Sequence, residues 1–137
     1  MESKTMNVEK QRGSILLEGL IAILIFSFGI LALVGMQAAA IKSTSEAKYR
    51  TDASFLANQL VGQMWADNRT TMQTNYQTGG GTYTTWKTQV ESALPGAATN
   101  PPTVVFGANN QVTITVRWQA PGESAAHRFV MVALVNG

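Results

Sequence analysis

The sequence predicts an α+β protein in which a long N-terminal α-helix, membrane-spanning in its first half and amphipathic in its second, packs on a small antiparallel β-meander. Three observations carry this reading. Residues 15–36 hold one charged side chain, Glu18, in an otherwise apolar run. Residues 41–68 contain no proline and repeat apolar side chains at helical spacing. The last third alternates apolar and polar residues in short runs divided by turn residues.

The apolar run, ILLEGLIAILIFSFGILALVGM, is long enough to cross a hydrocarbon core of about 30 Å as a helix. Before it lies a polar stretch with Lys4, Lys10 and Arg12 against Glu2 and Glu9, ending in Arg12-Gly13. A secretory signal cut at Ala38-Ala39-Ala40 has an apolar core of roughly 7–15 residues, shorter than this one and without a carboxylate. A plain transmembrane anchor fits the length but gives Glu18 no purpose. An ionisable group at a lipid-bordered helix site is costly and calls for a partner. The other reading of Glu18 is a solvated, interfacial acid at a helix start, where the dipole adds a few tenths of a kcal/mol.

Arg12-Gly13 followed by Ser14-Ile15-Leu16-Leu17-Glu18 and a long apolar helix resembles the type III leader of type IV prepilins. The resemblance implies a pilin-like fold. It implies cleavage between Gly13 and Ser14 by a membrane-embedded prepilin peptidase, which also N-methylates the new terminal amine on Ser14. It implies that Glu18, then the fifth residue of the mature chain, sets subunit register by meeting the terminal amine of a neighbour. Two positions depart from the family pattern: Ser14 stands where phenylalanine or methionine is usual, and Gly19 follows the acid. The implied organisation is a leader at 1–13, a helix at 14–67 (14–40 transmembrane, 41–67 amphipathic), and a periplasmic head at 68–137. Basic residues flank the helix on both sides, Lys42, Lys48 and Arg50 balancing the leader, so charge does not orient it. Cytoplasmic processing, by resemblance, places the short end inside and the head in the periplasm.

In the second half of the helix, Ala53, Leu56, Leu60 and Met64 form a stripe that Ala57, Val61 and Trp65 widen. Gly29 and Gly35 interrupt the first half, where glycine is less favourable than alanine by about 1 kcal/mol. They soften the helix or permit close packing of another. Residues 68–85, rich in Thr, Gln, Asn and Gly, read as a flexible loop around Gly79-Gly80-Gly81. Trp86, Val90 and Leu94 then predict a short helix, capped by Thr85 and stopped by Pro95-Gly96. Strands are predicted at 103–106, 112–118 and 127–135, with turns at Asn109-Asn110 and 120–123. The middle strand turns Val112, Ile114, Val116 and Trp118 to the core. The last is apolar at every position from Phe129 to Val135, the pattern of a strand covered on both faces, with other subunits as one source of cover.

Ten basic and eight acidic residues are scattered with no run suited to phosphates, so no nucleic-acid partner is expected. Cysteine is absent, and a small head must hold together by packing alone. His127 is the only histidine, no acid cluster has metal-ligand spacing, and no lysine-serine or lysine-threonine pair follows the glycines as a phosphate loop requires. No catalytic residue, cofactor or metal is assigned, and no enzymatic function is expected. Tyr83, Trp86 and Trp118 read as core aromatics, and Asn68-Arg69-Thr70 matches a glycosylation sequon.

The run from Ser27 to Gln37 is similar to the glycine- and leucine-rich run of PilV-type minor pilins, with Ala32 where that family has a second glycine. The resemblance implies a minor pilin that primes assembly of a type IV pilus and is incorporated at or near its tip. Its implied partners are other minor pilins, the major pilin, the prepilin peptidase, an inner-membrane assembly platform and the membrane itself. Adhesion and twitching motility are the processes such fibres serve. The alternatives are a minor pseudopilin of a type II secretion system, most like its I-type subunit, and a pilus-associated adhesin or DNA-binding module using the Thr- and Gly-rich loop.

Overall fold

The computed structural model describes residues 8–135, with side chains from residue 13 onward. Residues 1–7 and the side chains of Glu9, Lys10 and Arg12 therefore lie outside the described residues. The elements in order are α1 (Val8–Ala66), α2 (Arg69–Tyr76), α3 (Gly81–Ala93), β1 (Thr103–Phe106), β2 (Gln111–Trp118) and β3 (His127–Leu134). This is the expected α+β class, a long N-terminal helix with a three-stranded antiparallel sheet. Helical backbone begins at Val8, earlier than the expected start at Ser14. The chain divides into two units, Met1–Ser43 and Thr44–Gly137, and the division falls within α1.

In the first unit every described side chain is exposed, including Ile15, Leu24, Phe26, Phe28 and Leu31. The helix is long and apolar enough to cross a membrane and none of its apolar window is buried in the protein. The one hydroxyl within the apolar run 15–36 is absorbed locally, Ser27 Oγ donating to the Ile23 carbonyl at 2.7 Å. A buried polar group in hydrocarbon needs such a partner.

The core lies wholly in the second unit. Ala53, Leu56, Ala57, Leu60, Val61 and Met64 of α1 are buried with Val104, Val112, Ile114, Val116 and Trp118 from the inner face of the sheet. Trp65 does not join them: it is 65% exposed, correcting the stripe expected to include it, and its indole Nε1 donates to the Leu134 carbonyl at 3.3 Å. Trp86 of α3 enters the core and donates from Nε1 to the Leu56 carbonyl at 2.9 Å. Tyr83 reaches back to the segment before β1, its hydroxyl donating to the Pro102 carbonyl at 2.7 Å.

The loop expected over residues 68–85 is instead two helices. Asn68 caps α2, its side-chain oxygen accepting the Thr70 N–H at 3.0 Å. Met72 and Tyr76, one turn apart, supply the buried face that holds α2 down. Only two apolar residues were needed, too few to register against the surrounding threonines. Helix α3 begins at Gly81 and is capped by Gly80, so Thr85 is interior to it and not its cap. Thr84, Thr85 and Thr88 return their hydroxyls to the carbonyls four residues back. A side chain on Gly80 would strike the Asn75 and Thr74 carbonyls, which makes glycine obligatory where α2 meets α3. Helix α3 ends as expected before Pro95-Gly96.

The sheet runs in the order β1-β2-β3, both pairs antiparallel. Asn109 and Asn110 both adopt positive φ in the turn between β1 and β2, as a primed hairpin turn requires. Strand β2 buries Val112, Ile114, Val116 and Trp118 in strict alternation. Strand β3 also alternates, with Val130, Val132 and Leu134 exposed. The strand is therefore covered on one face only within the chain, not on both.

Two outcomes follow from this packing. Gly80→Ala forces backbone apart and should lower stability by roughly 2 kcal/mol, read from the loss of near-ultraviolet tryptophan ellipticity of the full chain in detergent under urea. The Tyr76 phenol, by burial first and then by its hydrogen bond to the Asp67 carboxylate, is pushed up to about 12. Its contribution to stability is full below the unfolded value of 10.0 and is lost as pH rises through about 12. Tyr76→Phe should flatten the fall in stability across that interval, measured by alkaline denaturation.

Candidate assembly determinants

Gly13, Ser14 and Glu18 all lie on the exposed surface of α1. Nothing stands within 4 Å of the position a Gly13 side chain would take, so no packing in the chain calls for glycine there. Among the described residues Glu18 has no hydrogen-bond or ion-pair partner. Its carboxylate projects from an apolar helix with no cation beside it among the described residues. The structure brings these three residues together only through the helix they share.

A second polar constellation, absent from the sequence reading, sits in the other unit. His127 opens β3 and holds Glu123 of the preceding turn at 2.6 Å through Nε2, and Glu46 of α1 at 3.3 Å through Nδ1. Its ring stacks on Trp118, with centroids 5.8 Å apart and planes 18° apart. Both ring nitrogens can donate together only when the imidazole carries its second proton. The Glu123 N–H closes its turn on the Ala120 carbonyl, and Gln119 Nε2 donates to the Glu123 carbonyl at 2.7 Å. Trp118 Nε1 is buried and has no hydrogen-bond partner. A carboxylate on each side of the ring ties α1 to the start of β3 but leaves no shared ligand position between them. Glu46 and His127 stand far apart in sequence, and no local signal pairs them.

Among the described residues no group of three histidine or acidic side chains could hold a metal. A shallow depression on α3 is lined by Thr84, Thr85, Thr88, Gln89 and Ser92. The four hydroxyls there donate to helix carbonyls, which reduces what they offer a ligand.

No family model, curated protein or solved structure matches the chain. The functional reading rests on the residues themselves.

His127→Ala removes both carboxylate contacts. Amide exchange around Glu46 should quicken in hydrogen-exchange mass spectrometry of the full chain, while the amides of Leu60 and Ile114 keep their protection.

Proposed function

We propose that the chain is a minor pilin, a structural subunit processed at its N terminus, anchored by α1 and incorporated at or near the tip of a type IV pilus. The observation that carries this reading is an acid, Glu18, without a partner among the described residues, on an unburied apolar helix five residues after Gly13. Cleavage after Gly13 creates a terminal amine on Ser14 about one helical turn from Glu18. The amine of one subunit and the carboxylate of the next then neutralise each other in lipid, where either alone is unfavourable. The pair acts only when subunits stand at one axial offset, so it converts a charge penalty into register. N-methylation of Ser14 preserves the positive charge that this pairing uses.

On this reading the apolar part of α1 holds the subunit in the inner membrane with the head in the periplasm until assembly extracts it. Prepilin peptidase processes it, an inner-membrane platform assembles it, and its neighbours are other minor pilins and the major pilin. No catalysis, cofactor or nucleic-acid contact is required. A minor pseudopilin of type II secretion would use the same cleavage and the same register pair. A deletion strain separates them: loss of pili with secretion intact supports the pilus, and the converse supports the secretion system.

Intact mass and N-terminal sequencing of the protein from membranes with and without prepilin peptidase test the premise. The expected mature chain begins at Ser14 only when the peptidase is present. A chain beginning after Ala40, or at Met1 in both strains, overturns it. Glu18→Ala should be cleaved and inserted normally yet fall about tenfold or more in sheared fibres by immunoblot, as expected for loss of a charge pair worth more than 1.4 kcal/mol.

A further inference from the structure

The outer face of the sheet combines an apolar patch with an unneutralised pair of arginines. Val105, Val130, Val132 and Leu134 are exposed by 58%, 47%, 55% and 65%. The register sets Val105, Thr113 and Val132 in one row across the sheet and Thr115 beside Val130 in the next. Arg117 and Arg128 stand directly opposite each other in the row beyond Thr115 and Val130. Like charges so placed repel. Arg117 donates from Nη1 to the Pro101 carbonyl at 3.1 Å, and neither arginine has an ion pair among the described residues.

The two edges of the sheet are treated differently. At β1 the Thr78 N–H donates to the Val104 carbonyl at 3.1 Å, and Thr78 Oγ1 accepts the Val104 N–H at 2.9 Å, which closes that edge. Strand β3 pairs on one side with β2. The Val135 N–H turns inward to the Asn110 carbonyl, so by alternation Arg128, Val130 and Val132 direct their N–H and C=O groups outward. Trp65 occupies the Leu134 carbonyl at one end. Between Trp65 and His127 the edge carries no proline and a single charged residue, Arg128 at one end, so Val130 and Val132 are left without the charges or proline that normally block pairing.

We propose that this face and edge take an extended segment of a different protein, adding as a strand beside β3, with alternating apolar side chains and a carboxylate at the end that meets Arg128. The added backbone would satisfy Arg128, Val130 and Val132, and its apolar side chains would continue the two rows that end at Val130 and Val132. A carboxylate at that end accepts charge-assisted hydrogen bonds from Arg128 and lies in a positive field to which Arg117, turned to the Pro101 carbonyl, adds. Among the described residues of the Thr44–Gly137 unit, a second copy of this chain offers no unengaged acid for that position. Glu46 and Glu123 hold His127, Asp52 pairs with Lys48, Glu91 pairs with Lys87, and Asp67 accepts the Asn68 N–H. Pairing two β3 edges would instead bring in more arginine. Nothing in this surface depends on how the N terminus is processed.

The test uses the full chain in detergent and fluorescent octapeptides of alternating valine and threonine that end in glutamate or in lysine, each made with the charge at either terminus. The glutamate peptide should bind at least about tenfold more tightly and slow amide exchange at Val130 and Val132. R117E/R128E, checked for unchanged near-ultraviolet circular dichroism, should reverse the preference. Equal binding of both peptides, or protection away from β3, overturns the proposal. So does concentration-dependent self-association that protects β3, which assigns the edge to a second copy. Binding to phosphatidylglycerol vesicles that R117E/R128E abolishes, without any peptide preference, assigns the face to lipid and overturns it too. Because these readouts ignore cleavage at Gly13, failure here leaves the minor-pilin reading untouched, and failure of that reading leaves this surface untouched.

Discussion

Leu56, Leu60 and Met64 lie along one stripe of α1, and the head closes on that stripe. The head is small and has no cysteine, so no crosslink substitutes for packing. Each of these side chains is worth roughly 1.5–3 kcal/mol when removed from water, and the stripe meets the inner face of the sheet and Trp86 of α3. The Trp86 hydrogen bond to the Leu56 carbonyl fixes where α3 sits along the helix. Thr78 then fixes β1 from the segment between α2 and α3, and Tyr83 holds the approach to β1. Shifting the stripe by one residue would turn Leu60 to water and dismantle this arrangement.

Covering the sheet with one helical stripe leaves its other face open. A sheet packed on one side only is expected to show polar residues outside. Strand β2 obeys this with Thr113, Thr115 and Arg117, whereas β3 places Val130, Val132 and Leu134 there. The departure is confined to the strand whose edge is unpaired, beside two arginines without counter-charge. Apolar surface, open backbone and excess positive charge thus coincide in one place.

The apolar half of α1 presents a different unsatisfied condition. Its side chains are exposed throughout, and Glu18 is unpaired among them. Among the described residues nothing remedies either. A bilayer or neighbouring helices accommodate the side chains, while the carboxylate needs a cation, and processing at Gly13 would generate one in each subunit.

The sequence by itself determined the class, the long helix, the strands and the turn at Asn109-Asn110, because these depend on local periodicity and on residues that tolerate positive φ. The proposal for Gly13, Ser14 and Glu18 rests on adjacency along the chain, and the tertiary structure adds only that all three lie exposed on α1. Helix α2 was not legible: Met72 and Tyr76 are its whole buried face, and threonines with satisfied hydroxyls look like loop. Strand β3 reads as covered on both faces, yet the chain itself covers only one, because an unbroken apolar run does not say which side its own fold buries. Only the tertiary structure decided that Trp65 turns outward to Leu134, that His127 joins Glu46 to Glu123, and that Arg117 faces Arg128. Each of these pairs residues far apart along the chain or on different strands, and only strand register and helix rotation can set such a pairing.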